Sequence, residues 1–459
     1  MRCLLLPALL LTLPAFAQSP AEADARTRAI AAGYKALTLC SAHFNAGRSA
    51  KQVEALELRG IYPDYEAQVH ALQANVDEKT RTVSVPFDPA LPPRIAAWRP
   101  NLGCAQLPIG ADAKAVASLP RFDTRAPELD RKPWPLGERN ASAKPRGDAA
   151  ALKRVVADAF DTARFGEGHA TTGVVVLQDG KIVAERYRKG FGPHVAQRTW
   201  SVAKSLAGAL VGVAAREGVI DAALPAPVPE WQPPGDPRAA ITLDQLLRMS
   251  SGLHSDTAGN RTDALYFGGA TVPEAAAGWP LQAPPGTRFR YANNDIVLAI
   301  HALRARTGDD ARALARPYTD LFWPLGMTRT HAETDWQGGF VLSSQVWSTA
   351  RDLARFGLVL QNDGVFAGRR LLPEGWVRAA TTPSGPQPAD RDFGYGATLW
   401  LLQRSPGVPP DTFAALGNRG QIVAVVPSRK IVIVRRGEDP AGRKFDEAGF
   451  IAAVLAALE

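Results

Sequence analysis

The chain is poor in the residues that several common chemistries require. Its 459 residues include three cysteines and seven histidines. Neither Cys-x-x-Cys nor His-x-x-x-His occurs, so nothing supports a metal centre, and no cofactor is expected. Gly-x-Ser-x-Gly is missing too, and no histidine sits in a recognisable catalytic setting, which argues against a Ser-His-Asp hydrolase. No internal apolar run is long enough to span a bilayer. The 53 Lys and Arg residues are interleaved with 45 Asp and Glu. With no basic block carrying aromatic platforms, nucleic acid is not an expected partner.

What remains is an ordinary globular composition, 46% apolar and 21% charged, with 37 prolines that imply long loops. The N-terminus reads as a secretory leader: Arg2, an apolar run from Leu4 to Phe16, and Ala15-Phe16-Ala17 as a small-x-small cleavage site. A membrane anchor is the weaker reading, because the run is short and interrupted by Pro7 and Pro14. Cleavage after Ala17 is expected, giving a periplasmic or secreted protein with no stable membrane anchor. Loss of Arg2 and Cys3 then lowers the net charge from +8 to +7 and leaves Cys40 and Cys104. Two cysteines in an exported chain favour one disulfide; two buried thiols or a metal pair are the other readings.

Residues 18–125 read as an N-terminal extension. A helix is expected over Ala21 to Ala46, with a strand at Thr82 to Phe87 paired to Arg94 to Trp98. Residues 126–147 are a Pro- and charge-rich linker, the aperiodic composition beginning near Phe122. Residues 148–459 form the main domain. It opens with an amphipathic helix over Asp148 to Arg164 and a hairpin, Gly173 to Gln178 and Lys181 to Tyr187, around Asp179-Gly180. Helices are expected at Ile241 to Met249, Asn294 to Arg306 and Arg351 to Gln361. Strands follow at Thr398 to Gln403, Gly420 to Val426 and Lys430 to Arg435, then a closing helix over Ala448 to Leu458. Strands at both ends with helices between them predict an α+β fold: an antiparallel sheet completed by both flanks, with an inserted helical subdomain.

The chemistry centres on Thr199-Trp200-Ser201-Val202-Ala203-Lys204-Ser205, which opens an apolar helix stopped near Gly218. Ser201 and Lys204 are three apart and share a helical face. A serine hydroxyl needs a base, and a lysine can be one only if burial or a nearby cation lowers its pKa. The tetrapeptide alone arises about once by chance in such a length, so partners are required. Tyr291-Ala292-Asn293 is one candidate. A phenol beside a protonated lysine can lose its proton below its usual range and serve as a second base, while Asn293 holds the lysine and the substrate carbonyl. The plainer reading is a core tyrosine and a turn asparagine. Leu416-Gly417-Asn418-Arg419-Gly420-Gln421, heading a strand, is the other candidate. A glycine there admits substrate to the backbone, and the N–H groups of Gln421 and Ser201 could form an oxyanion hole; an ordinary tight turn is the alternative.

Ser-x-x-Lys, then Tyr-x-Asn about ninety residues on, then a Gly-ended triplet at a late strand, resemble the serine β-lactamase and penicillin-binding superfamily. Leu246-Leu247-Arg248-Met249-Ser250-Ser251-Gly252, Pro285-Gly286-Thr287 and Ser348-Thr349-Ala350-Arg351-Asp352-Leu353-Ala354-Arg355-Phe356-Gly357 resemble it too. The resemblance covers about 150–459 and is nearest to the class C branch, within it to the 6-aminohexanoate-dimer hydrolase type. It implies Ser201 as acylated nucleophile, Lys204 as base or relay and Tyr291 as second base. Asn293 would contact substrate and lysine, Asn418-Arg419-Gly420 would be the third element, and Gln421 would give an oxyanion N–H. β-Lactamases usually carry Lys where this chain has neutral Asn418, leaving Arg419 as the cation for a substrate carboxylate. The expected function is therefore an amidase or esterase on a small-molecule substrate. A β-lactamase or D-alanyl-D-alanine carboxypeptidase is the alternative, and a non-catalytic ligand-binding protein a second one. Trp279, Trp347 and Tyr395 are pocket candidates, or equally core aromatics. Substrate identity and oligomeric state are not legible.

Overall fold

The computed structural model describes residues 20–161, 163–255 and 262–459. The proposed leader, residues 1–17, lies outside them.

The N-terminal region begins with helix α1 (Pro20–Ala46), followed by the short helices α2 (Ala50–Ala55) and α3 (Pro63–Ala71). Strands β1 (Asn75–Asp77), β2 (Thr82–Val85), β3 (Arg94–Arg99) and β4 (Gly103–Gln106) form an antiparallel sheet in that order, with α1 against β2, β3 and β4. Val83 and Val85 alternate inward along β2, as the period of the sequence requires. A disulfide joins Cys40 on α1 to Cys104 on β4. This region is not a separate globule. Ile30, Leu37 and Val83 belong to the same apolar core as Val174, Leu206 and Phe356. Close approach is enforced at Gly33 of α1, where a Cβ would fall 2.0 Å from the carbonyl oxygen of Phe267.

The main sheet has seven strands. Asp179 and Gly180 both take positive φ, closing β5 (Thr171–Gln178) onto β6 (Lys181–Tyr187). The other five are β7 (Gly394–Tyr395), β8 (Trp400–Leu401), β9 (Phe413–Gly417), β10 (Gln421–Val426) and β11 (Ile431–Gly437). Every neighbouring pair is antiparallel, in the order β7-β8-β9-β10-β11-β5-β6. First and last strands of the domain thus meet in mid-sheet, as expected. The continuous apolar runs of β5, β10 and β11 are buried along their whole length.

Helix α4 (Ala149–Asp158) packs on β6, and α5 (Val202–Arg216) against β9. The inserted helical region includes α6 (Leu243–Leu247) and α7 (Asn293–Thr307), and α8 (Ala350–Gln361) then lies across β10, β11 and β5. The last helix, α9 (Glu447–Ala457), packs on α4. Thr242 caps α6 in a reciprocal capping box with Gln245, and Gly308 ends α7 in the left-handed region.

Several elements are shorter than expected, among them the helix at Leu243–Leu247 and the strand at Thr82–Val85. The helix from Asp148 stops at Asp158, and the half-buried Phe160 is covered instead by the Arg186 guanidinium. The strand expected from Thr398 shrinks to Trp400–Leu401, because Thr398 takes φ +62° and turns the chain. The linker carries no helix or strand of its own. It is tied down by Arg355 of α8, which donates to Pro135 O (2.7 Å) and Gly137 O (2.8 Å). The Ser348-to-Gly357 stretch is thus structural in its contacts: Thr349 caps α8, and Arg355 also pairs with Glu138 and Asp352.

Candidate active site

Ser201 stands at the N-cap of α5, half-buried, while Val202 to Ala214 behind it are buried. A serine there usually turns its oxygen onto the helix's free N–H groups. Ser201 does not: its backbone is already helical and its side chain makes no capping bond. Trp200 before it takes φ +49°, a costly conformation for a bulky residue, which makes the entry into the helix abrupt.

Lys204 is one turn on and 1% exposed. Its Nζ donates to Ser201 Oγ (3.0 Å), Asn293 Oδ1 (2.7 Å) and the Ser343 carbonyl (2.8 Å). All three acceptors are uncharged. Burial therefore holds the ammonium far below its ordinary range, at about 7, and the nearby Arg198 charge pushes the same way. A pKa lowered that far lets Lys204 exchange a proton near neutral pH within hydrogen-bond reach of the Ser201 hydroxyl.

Ala292 is extended (φ −138°, ψ 142°), which sets Tyr291 and Asn293 on one side of the chain ahead of α7. Asn293 reaches Lys204, and the Tyr291 phenol is close enough to Ser201 for that hydroxyl to favour its ionised form. The lysine nitrogen stands 5.0 Å from the Tyr291 ring centroid. The Leu246-to-Gly252 stretch cradles this segment: Met249 O accepts from Arg290 N, and Ser251 Oγ donates to Asp295 of α7. One expectation reverses. Burial pushes the Tyr291 phenol well above its ordinary value rather than below it. A buried phenol beside a lysine that is itself half neutral gains little from the lysine's charge, so Tyr291 stays protonated.

The third element is shifted in register. Gly417, at the end of β9, meets Ser201: a Cβ there would lie 3.1 Å from Ser201 N and 2.6 Å from Thr199 O. Gly420 (φ +76°) is packed instead against Arg435 and Asp439. Gln421 pairs with Gly417 across the ladder, and its buried side chain donates to Arg419 O and Gly437 O and accepts from Arg436 Nε. The reason is the hairpin: residues 418–420 form the turn beyond the strand ends, so the glycine facing Ser201 is the one before that turn. The Ser201 and Asn418 N–H groups make no backbone hydrogen bond among the described residues. Arg419, expected as the cation for a carboxylate, is 5% exposed and committed to Glu438 and to carbonyls of the N-terminal region.

Of the pocket candidates, Tyr395 packs edge-on against Tyr291, with centroids 5.9 Å apart. Trp347 is a buried strand residue, and Trp279 sits beside His254. Sequence reasoning missed Ser343, which acts through a carbonyl that any residue could supply, and Trp400, tilted over Tyr291 at 5.3 Å. It also missed Arg391, exposed and stacked 4.8 Å from the Trp400 ring centroid.

Comparison with known proteins gives the family and the fold. Residues 156–456 match the Beta-lactamase family model. The chain belongs to that family. It is 28% identical over 404 residues to the 6-aminohexanoate-dimer hydrolase of Paenarthrobacter ureafaciens, covering 80% of this chain and 90% of that one. A structure from Bacillus anthracis assigned as a 6-aminohexanoate-dimer hydrolase superposes with TM-score 0.53 at 22% identity, over 74% of this chain and 87% of its own. A class C β-lactamase gives TM-score 0.52 at 15% identity, over 68% and 96%. This β-lactamase-family chain thus has the fold of class C enzymes and a hydrolase as homologue.

Proposed function

We propose that the protein is an exported serine hydrolase that cleaves an amide or ester bond through a covalent acyl-enzyme on Ser201. The observation that carries this reading is Lys204: a buried amine with pKa near 7, 3.0 Å from a half-exposed hydroxyl that caps nothing. In the proposed sequence, neutral Lys204 accepts the Ser201 proton as Oγ attacks the substrate carbonyl carbon. The carbonyl oxygen takes the negative charge and is held by the N–H groups of Ser201 and Asn418. As the C–N or C–O bond breaks, the proton passes from Lys204 through the Tyr291 hydroxyl to the leaving group. Water then attacks the acyl carbon, giving up its proton along the same route, and Ser201 is regenerated. Asn293 fixes the lysine throughout.

The substrate is proposed to be a small molecule, as in the 6-aminohexanoate-dimer hydrolase relative. With Gly417 as the glycine that faces Ser201, the triplet ending there is Ala415-Leu416-Gly417 and carries no lysine, and Arg419 is committed elsewhere, which favours a linear amide or ester over a β-lactam. Arg391 supports an anionic group on the Tyr291 and Trp400 side. The disulfide between Cys40 and Cys104 is in keeping with export.

The test is activity-based labelling with a fluorophosphonate, followed by hydrolysis assays on short acyl esters, linear amides and a chromogenic cephalosporin. Labelling is expected to be lost in Ser201→Ala, with esters and amides outpacing the cephalosporin. Undiminished labelling of that variant overturns the proposal.

A further inference from the structure

The N-terminal region reaches the backbone on both sides of Ser201. Its segment of residues 56–62 runs from the end of α2 to the start of α3. Arg419, next to Asn418 in the turn after β9, drives its guanidinium into that segment. Nη1 donates to Gly60 O (2.9 Å), and Nη2 to Leu56 O (3.0 Å) and Arg59 O (2.9 Å). Nε donates to Glu438 Oε2 at 2.7 Å, so the charge is paired as well as solvated by carbonyls. Carbonyls at a helix C-terminus are a natural seat for a cation. Arg419 itself takes φ +56°, and its N–H donates to Asn418 Oδ1 (2.9 Å). The guanidinium, the strained turn and Asn418 therefore form one connected unit.

The same segment touches the other side. The Tyr62 ring meets the Trp200 ring edge-on, with centroids 6.4 Å apart. Arg198 lies 3.6 Å from the Trp200 ring centroid. Trp200 is the residue with φ +49° that throws Ser201 into position. One short segment thus grips the neighbour of each free N–H group, Trp200 beside Ser201 and Arg419 beside Asn418.

We propose that residues 56–62 are a positioning clamp for the oxyanion hole, with Arg419 and Tyr62 as its positioning residues. The inference rests on the reading of the Ser201 and Asn418 N–H groups as the oxyanion donors. It gives the N-terminal region a task in the reaction: holding two backbone donors at the spacing that the tetrahedral oxygen needs. Because the donors act on charge that develops only in the transition state, loosening them lowers kcat and leaves KM nearly alone.

The experiment uses the full chain. Arg419→Met alone strands Glu438 as a buried charge, so it is paired as Arg419→Met/Glu438→Gln; Tyr62→Leu is the second variant. Steady-state ester hydrolysis and the rate of fluorophosphonate inactivation are measured together with thermal melting. The double variant is expected to lose about tenfold to hundredfold in kcat with KM within about twofold. Its inactivation rate falls in parallel, and the acid limb of its pH profile, set by Lys204, does not move. Tyr62→Leu, a smaller disturbance at a half-buried ring, is expected to lose roughly threefold to tenfold in kcat. If the double variant does not fold, Tyr62→Leu decides. Wild-type kcat in a folded variant, or a rise in KM alone, overturns the clamp. Labelling that survives Ser201→Ala overturns the underlying acyl-enzyme reading instead.

Discussion

Two buried cations, Lys204 and Arg419, belong to the two backbone turns that frame Ser201, and they behave oppositely. Lys204 faces a hydroxyl, an amide oxygen and a carbonyl, with no carboxylate among them. Its charge is poorly compensated and its pKa falls to about 7. Arg419 faces four carbonyls and also the Glu438 carboxylate, so it stays charged. Burial is nearly equal in the two; the counter-charge is what differs. A buried cation without a counter-ion can exchange protons, whereas one with a counter-ion can only hold its neighbours. By this contrast we assign Lys204 to the proposed chemistry and Arg419 to the frame.

The contrast is tested most severely by Lys204→Arg. The variant keeps a cation and donors at that position but has no proton to exchange at working pH. Ester turnover is expected to fall by about 10³-fold or more; near-normal kcat would show that charge, not proton exchange, is what residue 204 supplies. Tyr291→Phe removes a hydroxyl that burial keeps protonated and that the proposed reaction uses as a relay. A loss in kcat of about 10²-fold is expected, with a steeper loss on amides, whose leaving group needs the proton more. Equal losses on amides and activated esters would remove Tyr291 from leaving-group protonation. A smaller effect is expected of Arg391→Ala: KM for carboxylate-bearing esters should rise about tenfold against their neutral counterparts. Equal KM changes for both would make Arg391 a surface residue. Smallest is Arg198→Gln. Arg198 is a cation that depresses Lys204, so its removal raises the Lys204 pKa and moves the acid limb of kcat/KM to higher pH. A limb that stays put or moves down contradicts the electrostatic account.

Much of this site was legible because it is written in local geometry. Ser201 and Lys204 share a helical face by spacing alone, and an extended Ala292 puts Tyr291 and Asn293 on one side. The Asp179-Gly180 turn was equally local. What was not legible depends on distant packing. Whether Gly417 or Gly420 faces Ser201 is decided by how the β9–β10 hairpin sits on α5, since either glycine satisfies the same motif. The direction of the Tyr291 shift turns on burial under Tyr395 and Trp400, over a hundred residues away in the chain. Arg419 reads as a free cation in the sequence. It is spent on residues 56–60, more than 350 positions earlier.

The central claim is that Lys204, neutral near pH 7, takes the proton from Ser201. It is tested most directly by the pH dependence of a single event, the acylation of Ser201, followed by rapid mixing with an activated ester under single-turnover conditions. The account predicts an acylation rate that rises with pH and levels off above a single limb centred near 7. A rate that is flat from pH 5 to 9, or that climbs only toward the ordinary lysine range near about 10, contradicts it.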